Sequence, residues 1–161
     1  MQVQLIPIDK QGRPQDVAGR LDMHVKQICK ATEELYRRNG FVKPWISYLA
    51  VHDRRLVGAC AFKSPPNKDD ESATIEIGYL TFPKFEGQGI ATEMVRELLQ
   101  IAQAKDASLT IVAQTETEEN ASTAVLKKAG FQFIGEQRDA DGDVVWQWHR
   151  PPNTARTKAR D

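Results

Sequence analysis

The sequence has few cysteines and few histidines, and this scarcity excludes two classes of small protein. Only Cys29 and Cys60 are present, and the three histidines lie far apart at His24, His52 and His149. A disulfide framework needs more cysteines, and a zinc site needs Cys or His at paired spacing. We therefore expect neither a structural disulfide nor a metal site.

The chain also lacks an excess of charge and any long apolar run. Lys and Arg total 22, as do Asp and Glu, so the formal net charge is zero. Nucleic-acid binding normally depends on a cationic surface, so no such partner is expected. No apolar segment approaches the roughly 20 residues that span a bilayer, and residues 1–8 lack the basic start and apolar core of a signal peptide. We expect a cytoplasmic protein that binds no membrane.

The length and the pattern of apolar residues predict one domain. We expect it to cover residues 1–150, followed by a flexible basic tail over 151–161. The order of elements predicts a mixed α/β sheet flanked by helices. The segment 16–38 forms either one long helix or two short ones broken near Gly19. Strands are predicted at 1–8, 45–51, 56–63, 74–82, 108–114, 131–137 and 144–149, and helices at 16–38, 89–105 and 120–129.

Turn residues mark how these elements are joined. Residues 52–55 and 139–142 are short enough to join their flanking strands as hairpins. The segment 64–72, with two prolines and a run of acids, is a predicted loop. Pro7 restricts the first strand to a strand end or a sheet edge, because proline has no N–H to donate.

The most informative segment is residues 80–92, Leu-Thr-Phe-Pro-Lys-Phe-Glu-Gly-Gln-Gly-Ile-Ala-Thr. A strand end is followed there by a turn with Gly87 and Gly89, and then by apolar residues at helical spacing. The first four N–H groups of a helix have no helical acceptor, and the peptide dipoles place partial positive charge there. The stretch from Gly87 to Thr92 therefore predicts a phosphate or pyrophosphate site and a phosphate-bearing cofactor.

Two familiar phosphate motifs do not describe this turn. A dinucleotide fold has glycine where Thr92 stands, and its motif opens a strand-helix-strand unit. The phosphate loop of nucleotide hydrolases needs Gly-Lys-Ser/Thr, which this chain lacks. A turn that needs its glycines only for positive φ stays open as an alternative.

Two stretches of the chain resemble the GNAT superfamily of N-acetyltransferases, and most closely its ribosomal-protein N-terminal acetyltransferase branch. The stretch 76–93, Glu-Ile-Gly-Tyr-Leu-Thr-Phe-Pro-Lys-Phe-Glu-Gly-Gln-Gly-Ile-Ala-Thr-Glu, is similar to the acetyl-CoA signature Arg/Gln-x-x-Gly-x-Gly/Ala, with Gly89 and Ala91 at the small positions. The stretch 119–131, Glu-Asn-Ala-Ser-Thr-Ala-Val-Leu-Lys-Lys-Ala-Gly-Phe, resembles the family's second cofactor helix. The resemblance implies a mixed, mostly antiparallel central sheet splayed in a V and flanked by helices, with acetyl-CoA as the cofactor.

The resemblance also implies which residues hold acetyl-CoA. Backbone groups of one strand end pair with pantetheine like an added strand, and amides of the glycine turn hold the pyrophosphate. Asn120 touches pantetheine, caps its helix, or does both. Glu86 stands where the family has Arg or Gln, and we expect its carboxylate to point to solvent. The expected cofactor-binding residues are Leu80, Thr81, Phe82, Gly87, Gln88, Gly89, Ile90, Ala91, Thr92 and Asn120.

Direct transfer to an amine needs a base for the amine and a proton for the leaving thiol. Glu76 is the candidate base, acting through water, because partial burial in a central strand makes a carboxylate more basic. A solvated or structural role for Glu76 stays open. By likeness to the branch, Ser122 bonds the thiol or the carbonyl, unless it serves only its own helix. Leu126 stands where many relatives carry the tyrosine that protonates the thiolate. Tyr79 is a possible replacement, although its spacing favours core packing.

Other reactive or aromatic residues are better explained by packing. Cys60 has no basic neighbour in the sequence and is expected to be a small buried residue. His149 ends a strand and is more typical of a rim residue than of a base. Trp45, Trp146 and Trp148 either line an acceptor pocket or belong to the core, which is commoner for tryptophans at strand spacing.

The sequence thus predicts an acetyl-CoA-dependent N-acetyltransferase. The acceptor is a primary amine of a small molecule or of a protein N-terminus, and the sequence does not choose between them. The protein is a monomer or a homodimer. The alternative is a non-catalytic acyl-CoA-binding or regulatory module of the same fold, and a nucleotide-binding oxidoreductase is a distant third.

Overall fold

A computed structural model describes residues 1–17, 21–67 and 73–152 of the chain. These ranges contain one seven-stranded sheet. Its strands are β1 (Gln4–Pro7), β2 (Ser47–His52), β3 (Arg55–Phe62), β4 (Thr74–Thr81), β5 (Thr110–Thr115), β6 (Gln132–Arg138) and β7 (Val144–Arg150). The helices are α1 (Met23–Asn39), α2 (Ile90–Lys105) and α3 (Ala121–Lys128), with a 3-10 helix at Pro83–Phe85.

The strand order is β1-β2-β3-β4-β5-β7-β6, and only the pair β4 and β5 is parallel. All other neighbours run antiparallel. This confirms the predicted mixed, mostly antiparallel α/β sheet. Strand β1 is an edge strand, so Pro7 lies where the sequence allowed it, because an edge position leaves the missing N–H without cost.

The first helix begins later than the apolar pattern predicted. Asp22 is its N-cap, and the carboxylate accepts a hydrogen bond from the Val25 N–H at 2.8 Å. Gly40 ends the helix with a φ of 94°, as the sequence indicated. The possible break near Gly19 lies outside the described residues, as do 68–72 of the predicted loop and 153–161 of the predicted tail.

The hairpin between β2 and β3 is tighter than predicted. Its strands extend to His52 and Arg55, so only Asp53 and Arg54 form the loop. Both loop residues have positive φ, 52° and 64°. Two-residue hairpin loops of the kind that follow the strand twist require positive φ at both positions.

The sheet has two faces that are filled differently. Successive side chains of a strand point to opposite faces. The back face, which packs on α2, carries Cys60, Phe62, Ile75 and Ile77 among its buried residues. The front face, which lies toward α1, carries Ala59, Ala61, Glu76, Gly78 and Leu80 on β3 and β4.

Within the three described ranges, no helix is long and apolar enough to cross a membrane. The same ranges contain no group of three or more His, Cys, Asp and Glu side chains that would hold a metal ion.

Candidate active site

Strands β4 and β5 pair over only part of the length of β4. Their pairing ends at Ile77 opposite Ala113, whereas β4 stays paired with β3 as far as Thr81 opposite Gly58. The two parallel strands therefore separate beyond Ile77. The sheet opens there in the V that the family resemblance implied.

Backbone groups of alternate β4 residues face this opening, since N–H and C=O groups alternate in direction along a strand. The Phe82 N–H donates to the Val57 carbonyl oxygen at 2.9 Å, and the Phe82 carbonyl accepts from the Phe85 N–H at 2.8 Å. Both backbone groups of Phe82 are thus used within the protein. A role for Phe82 in binding the cofactor stays a prediction, and its backbone N–H is already paired within the sheet.

Leu80 has the same backbone direction as Phe82. Its carbonyl oxygen lies 2.6 Å from the place where a Cβ on Gly58 would stand, so it faces β3. Its side chain, 47% exposed, lines a cavity on the front face. Among Leu80, Thr81 and Phe82, only Thr81 directs its backbone N–H and C=O groups toward the gap. The backbone groups of Tyr79 point in the same direction. Strand alternation, which the sequence-based expectation ignored, is the physical reason.

The turn after β4 places backbone amides beside the V. Gly87 and Gly89 have φ values of 77° and 84°, and a Cβ on either would meet nothing within 4 Å. Gly89 is the N-cap of α2, and no side chain in the described ranges caps this end. The amides of Ile90, Ala91 and Thr92 lack helical acceptors, and the open space above the glycines fits a diphosphate.

Two polar side chains of this turn, Glu86 and Gln88, are exposed. Glu86 therefore behaves as expected from the sequence, since its carboxylate is in contact with solvent. Water and salt screen an exposed charge. A carboxylate at this position is thus compatible with an anion at the helix end.

Glu76 lies on the front face, in the part of β4 that still pairs with β5. Its Oε2 atom is 2.8 Å from Nζ of Lys63, and its side chain is 29% exposed. The stem of Lys63 crosses the strand over Gly78, because a Cβ there would be 3.0 Å from Lys63 Cε. The ion pair holds the Glu76 carboxylate beside the V and leaves it in reach of water.

Tyr79 spans the gap between β4 and the start of α3. Its hydroxyl donates to the Ser122 carbonyl oxygen at 3.2 Å, and the Ser122 hydroxyl donates to the Tyr79 oxygen at 3.3 Å. Burial raises the pKa of Tyr79, and the hydrogen bond with Ser122 opposes this in part. A protonated phenol and a serine hydroxyl therefore lie together at the V. The sequence analysis did not predict this contact, because the spacing of Tyr79 with other apolar residues favoured core packing.

The amino end of α3 is closed by a reciprocal pair of hydrogen bonds. Oδ1 of Asn120 accepts from the Thr123 N–H at 3.1 Å, and the Asn120 N–H donates to Thr123 Oγ1 at 3.0 Å. Oε2 of Glu119 lies 2.8 Å from Nζ of Lys127, and this contact lowers the pKa of Glu119. The Asn120 oxygen thus serves the helix, which leaves the amide nitrogen for any contact with pantetheine.

A cavity of about 590 Å³ lies between α1 and the front face and reaches the V. This volume is typical of small-molecule sites, which run from about 300 to 1,000 Å³. The cavity exists because the sheet positions below α1 carry small side chains. Its lining includes Ile28, Ala31, Thr32, Leu35 and Arg38 of α1, Ala59, Ala61 and Gly78 of the sheet, and Gln114 and Ser122 at the V.

Three polar side chains form a hydrogen-bonded row across β5 and β7 on the front face. Nε2 of Gln114 donates to Oε1 of Gln147 at 3.2 Å, and Nε2 of Gln147 lies 3.3 Å from Nε2 of His149. Burial lowers the pKa of His149, which favours the neutral ring that can accept this hydrogen bond. These hydrogen bonds orient Gln114 toward Gln147 at the wall of the cavity.

Residues 13–132 match the family model of the acetyltransferase (GNAT) domain, which covers most of the chain. The chain belongs to the GNAT acetyltransferase family. The predicted family and the predicted acetyl-CoA-dependent acetyltransferase activity are confirmed, and acetyl-CoA is the cofactor. No curated protein matches this acetyltransferase by sequence.

Solved acetyltransferases share the fold. The ribosomal L7/L12 alpha-N-protein acetyltransferase RimL in complex with coenzyme A is 18% identical, with a TM-score of 0.67 over 95% of this chain and 96% of that one. The ribosomal-protein-S5-alanine acetyltransferase from Vibrio fischeri is 14% identical, with a TM-score of 0.65 over 95% and 94%. The microcin C7 self-immunity acetyltransferase MccE, in complex with acetyl-CoA and AMP, is 15% identical, with a TM-score of 0.60 over 80% and 70%. The first two belong to the branch that the sequence resembles.

Several other reactive or aromatic residues of this acetyltransferase are buried. Cys29 and Cys60 are buried, and burial raises the pKa of both thiols. Trp148 is 1% exposed, and Trp45 packs on the core, so the core interpretation of these tryptophans is confirmed. Leu126, at the position of the tyrosine of many relatives, is completely buried.

Proposed function

We propose that this acetyltransferase moves the acetyl group of acetyl-CoA to a primary amine, of a small molecule or of a protein N-terminus, in one direct step. The observation that supports this best is the V between β4 and β5. It is bordered by a carboxylate at Glu76, by two hydroxyls at Tyr79 and Ser122, and by the glycine turn. These groups match the needs of amine attack on a thioester.

In this proposal, some residues bind the cofactor and others transfer protons. Acetyl-CoA, when bound, supplies the thioester carbonyl that the amine attacks. Backbone groups of Tyr79 and Thr81 offer an open strand edge to pantetheine, with Asn120 beside it. The amides from Gly87 to Thr92 hold the diphosphate; a helix end contributes about 0.3 to 2 kcal/mol to an anion, so direct hydrogen bonds supply the rest.

Proton transfer falls to side chains on either side of the V. Glu76 takes a proton from the amine through water, which its partial exposure admits. The hydroxyls of Tyr79 and Ser122 turn from their present acceptors, the Ser122 carbonyl oxygen and the Tyr79 oxygen, to donate hydrogen bonds to the developing thiolate. A covalent acetyl-cysteine is disfavoured, because Cys29 and Cys60 are buried and their pKa values are raised.

The test is thiol release from acetyl-CoA with a panel of primary amines. We expect turnover by the natural chain and a fall in kcat of about 100-fold or more in Glu76→Gln, the usual scale for loss of a general base. The matched control is Glu34→Gln, which removes a carboxylate that pairs with Arg37 on α1. This control is expected to keep full activity.

Calorimetry with coenzyme A separates binding from chemistry. Glu76→Gln is expected to bind the cofactor as the natural chain does. Cofactor binding without thiol release from any amine contradicts the proposed function and favours a non-catalytic acyl-CoA-binding module. Unchanged turnover in Glu76→Gln removes Glu76 from the mechanism.

A further inference from the structure

The cavity between α1 and the front face carries an imbalance of charge. Arg38 and Lys63 line it, and no carboxylate of the described chain does. Lys63 is compensated by Glu76 at 2.8 Å. Arg38 is exposed, and its guanidinium has no ion pair or hydrogen bond with any described residue. One cation at the cavity is therefore free to bind an anion.

The neighbouring Arg37, unlike Arg38, has ion-pair partners. Arg37 lies in the same turn of α1, and its guanidinium contacts Glu33 at 2.8 Å and Glu34 at 3.3 Å. It does not line the cavity. Arg38 points to the cavity side of the helix, with Thr32 and Leu35, and lacks such carboxylates.

The body of the cavity is mostly apolar, and Thr32 and Ser47 add buried hydroxyls to its lining. Ile8, Ile28 and Leu35 contribute to its walls, and small side chains form its floor. Thr32 lines it, is 7% exposed, and its hydroxyl has no hydrogen-bond partner among the described residues. A buried polar group without a partner costs free energy until a ligand or water bonds it. The cavity thus fits a molecule with an apolar part and a few polar groups.

The position of Arg38 limits the length of that molecule. Nδ2 of Asn39 donates to the Lys63 carbonyl oxygen at 2.9 Å, so the end of α1 that carries Arg38 lies beside β3 where Lys63 pairs with Glu76. An acceptor bound by Arg38 must present its amine to the same region. An anion and an amine that are separated by only a few atoms meet this condition.

We infer that the acceptor is a small amine with a carboxylate close to the amine and an apolar side group, as in a free apolar amino acid, and that Arg38 binds the carboxylate. The inference rests on the proposed function and selects within it. A guanidinium binds a carboxylate through two parallel hydrogen bonds. A polyamine has no group for Arg38 and is repelled by it, and a protein N-terminus lacks a carboxylate next to its amine.

The test compares leucine, leucinamide, spermidine and a tetrapeptide amide that begins with leucine, in thiol release from acetyl-CoA by the full chain. We expect kcat/KM for leucine to exceed that for leucinamide at least about tenfold, since a charge-assisted pair is lost in the amide. Arg38→Met should lower kcat/KM for leucine at least about tenfold and leave leucinamide unchanged. Arg37→Met, the matched control, should keep the preference for leucine.

Three results overturn this inference. They are equal rates with leucine and leucinamide, faster turnover of spermidine or the tetrapeptide amide, and an unchanged preference in Arg38→Met. Each leaves the proposed function intact, because turnover is still seen. Absence of turnover with every acceptor contradicts the proposed function instead. In that case binding of N-acetylleucine by ligand-observed NMR decides the inference: dependence on Arg38 supports it, and no binding or no dependence on Arg38 overturns it.

Discussion

The front and back faces of the sheet are built from the same strands but are filled differently along β3 and β4. On the back, Met94, Leu98 and Trp148 are each at most 1% exposed. On the front, Ala59 and Ala61 face a cavity. Close packing stabilises a fold, whereas open space admits a substrate. The comparison indicates that the back face carries most of the stability and that the front face carries the chemistry.

Strand β4 contributes to both faces and shows how this separation arises. Ile75 and Ile77 are buried on the back, whereas Glu76 and Gly78 lie on the front with Lys63. Because neighbouring residues of a strand point to opposite faces, one short segment supplies core and site in alternation. Substitutions that differ only in face therefore test the comparison.

The largest effect is expected from Trp148→Ala on the back face. The indole is 1% exposed, and its N–H donates to Thr115 Oγ1 at 3.0 Å. Removing it leaves a cavity and takes away the donor to Thr115 Oγ1, whose own hydrogen bond to the Glu116 carbonyl oxygen remains. The free energy of unfolding should therefore fall by about 3 to 5 kcal/mol in urea titrations. Leu80→Ala on the front, where the side chain is 47% exposed, should change it by less than about 0.5 kcal/mol. Equal losses would contradict the comparison.

A second pair of variants adds one methyl group to each face. In Gly58→Ala the new Cβ would lie 2.6 Å from the Leu80 carbonyl oxygen and 3.1 Å from Met94. Backbone and core must shift, so we expect a loss of about 1 to 3 kcal/mol in unfolding free energy. In Gly78→Ala the Cβ would meet Cε of Lys63 at 3.0 Å, and this exposed chain end can move. That variant should stay within about 0.5 kcal/mol of the natural chain by the same urea titration.

A third variant fills the front face without disturbing the back. Ala61→Leu places a larger side chain into the cavity below α1, where space is available. We expect kcat/KM for the acceptor to fall about tenfold or more, while the free energy of unfolding stays within about 0.5 kcal/mol. Steady-state thiol release and urea titration measure the two quantities. A variant that loses stability and keeps its activity would show that the cavity is not the acceptor site.

The sequence predicted the elements on both faces better than it predicted the contacts between them. The apolar spacing of α2 and the glycines at 87 and 89 are local signals, and the helix and turn occur where these signals indicated. The contacts of Tyr79 with Ser122 and of Lys63 with Glu76 join segments that are distant in the chain. Register and strand separation create such contacts, and neither is encoded in a local pattern.

Neither the cavity nor the direction of the β4 backbone groups was predicted from the sequence, and the reasons are related. Small residues such as Ala59 and Ala61 in a strand have no distinctive pattern, and they matter only because α1 lies opposite them. The expectation for Leu80, Thr81 and Phe82 treated three successive residues as equivalent. In a paired strand, alternate residues direct their backbone groups to different neighbours.

The smallest predicted effect concerns the hydrogen-bonded row of Gln114, Gln147 and His149 on the front face. It is the dependence of the free energy of unfolding on pH through His149. Burial lowers the pKa of His149 below its ordinary value of 6.5. The unfolded chain therefore binds this proton more readily than the folded chain does. The contribution to stability is complete above about pH 6.5 and is lost as the pH falls through the lowered pKa.

In His149→Gln this part of the pH dependence should disappear, while an amide remains that can bond with Gln147. The fall in unfolding free energy between about pH 7.5 and pH 5.5 should be smaller in the variant than in the natural chain. Urea titrations at the two pH values measure it, and His24 and His52 are common to both proteins, so their own titration drops out of the difference. An equal pH dependence in both proteins would mean that His149 is as accessible to protons in the folded chain as in the unfolded one. The front face would then be open to water even at β7, where the structure shows the ring half-buried.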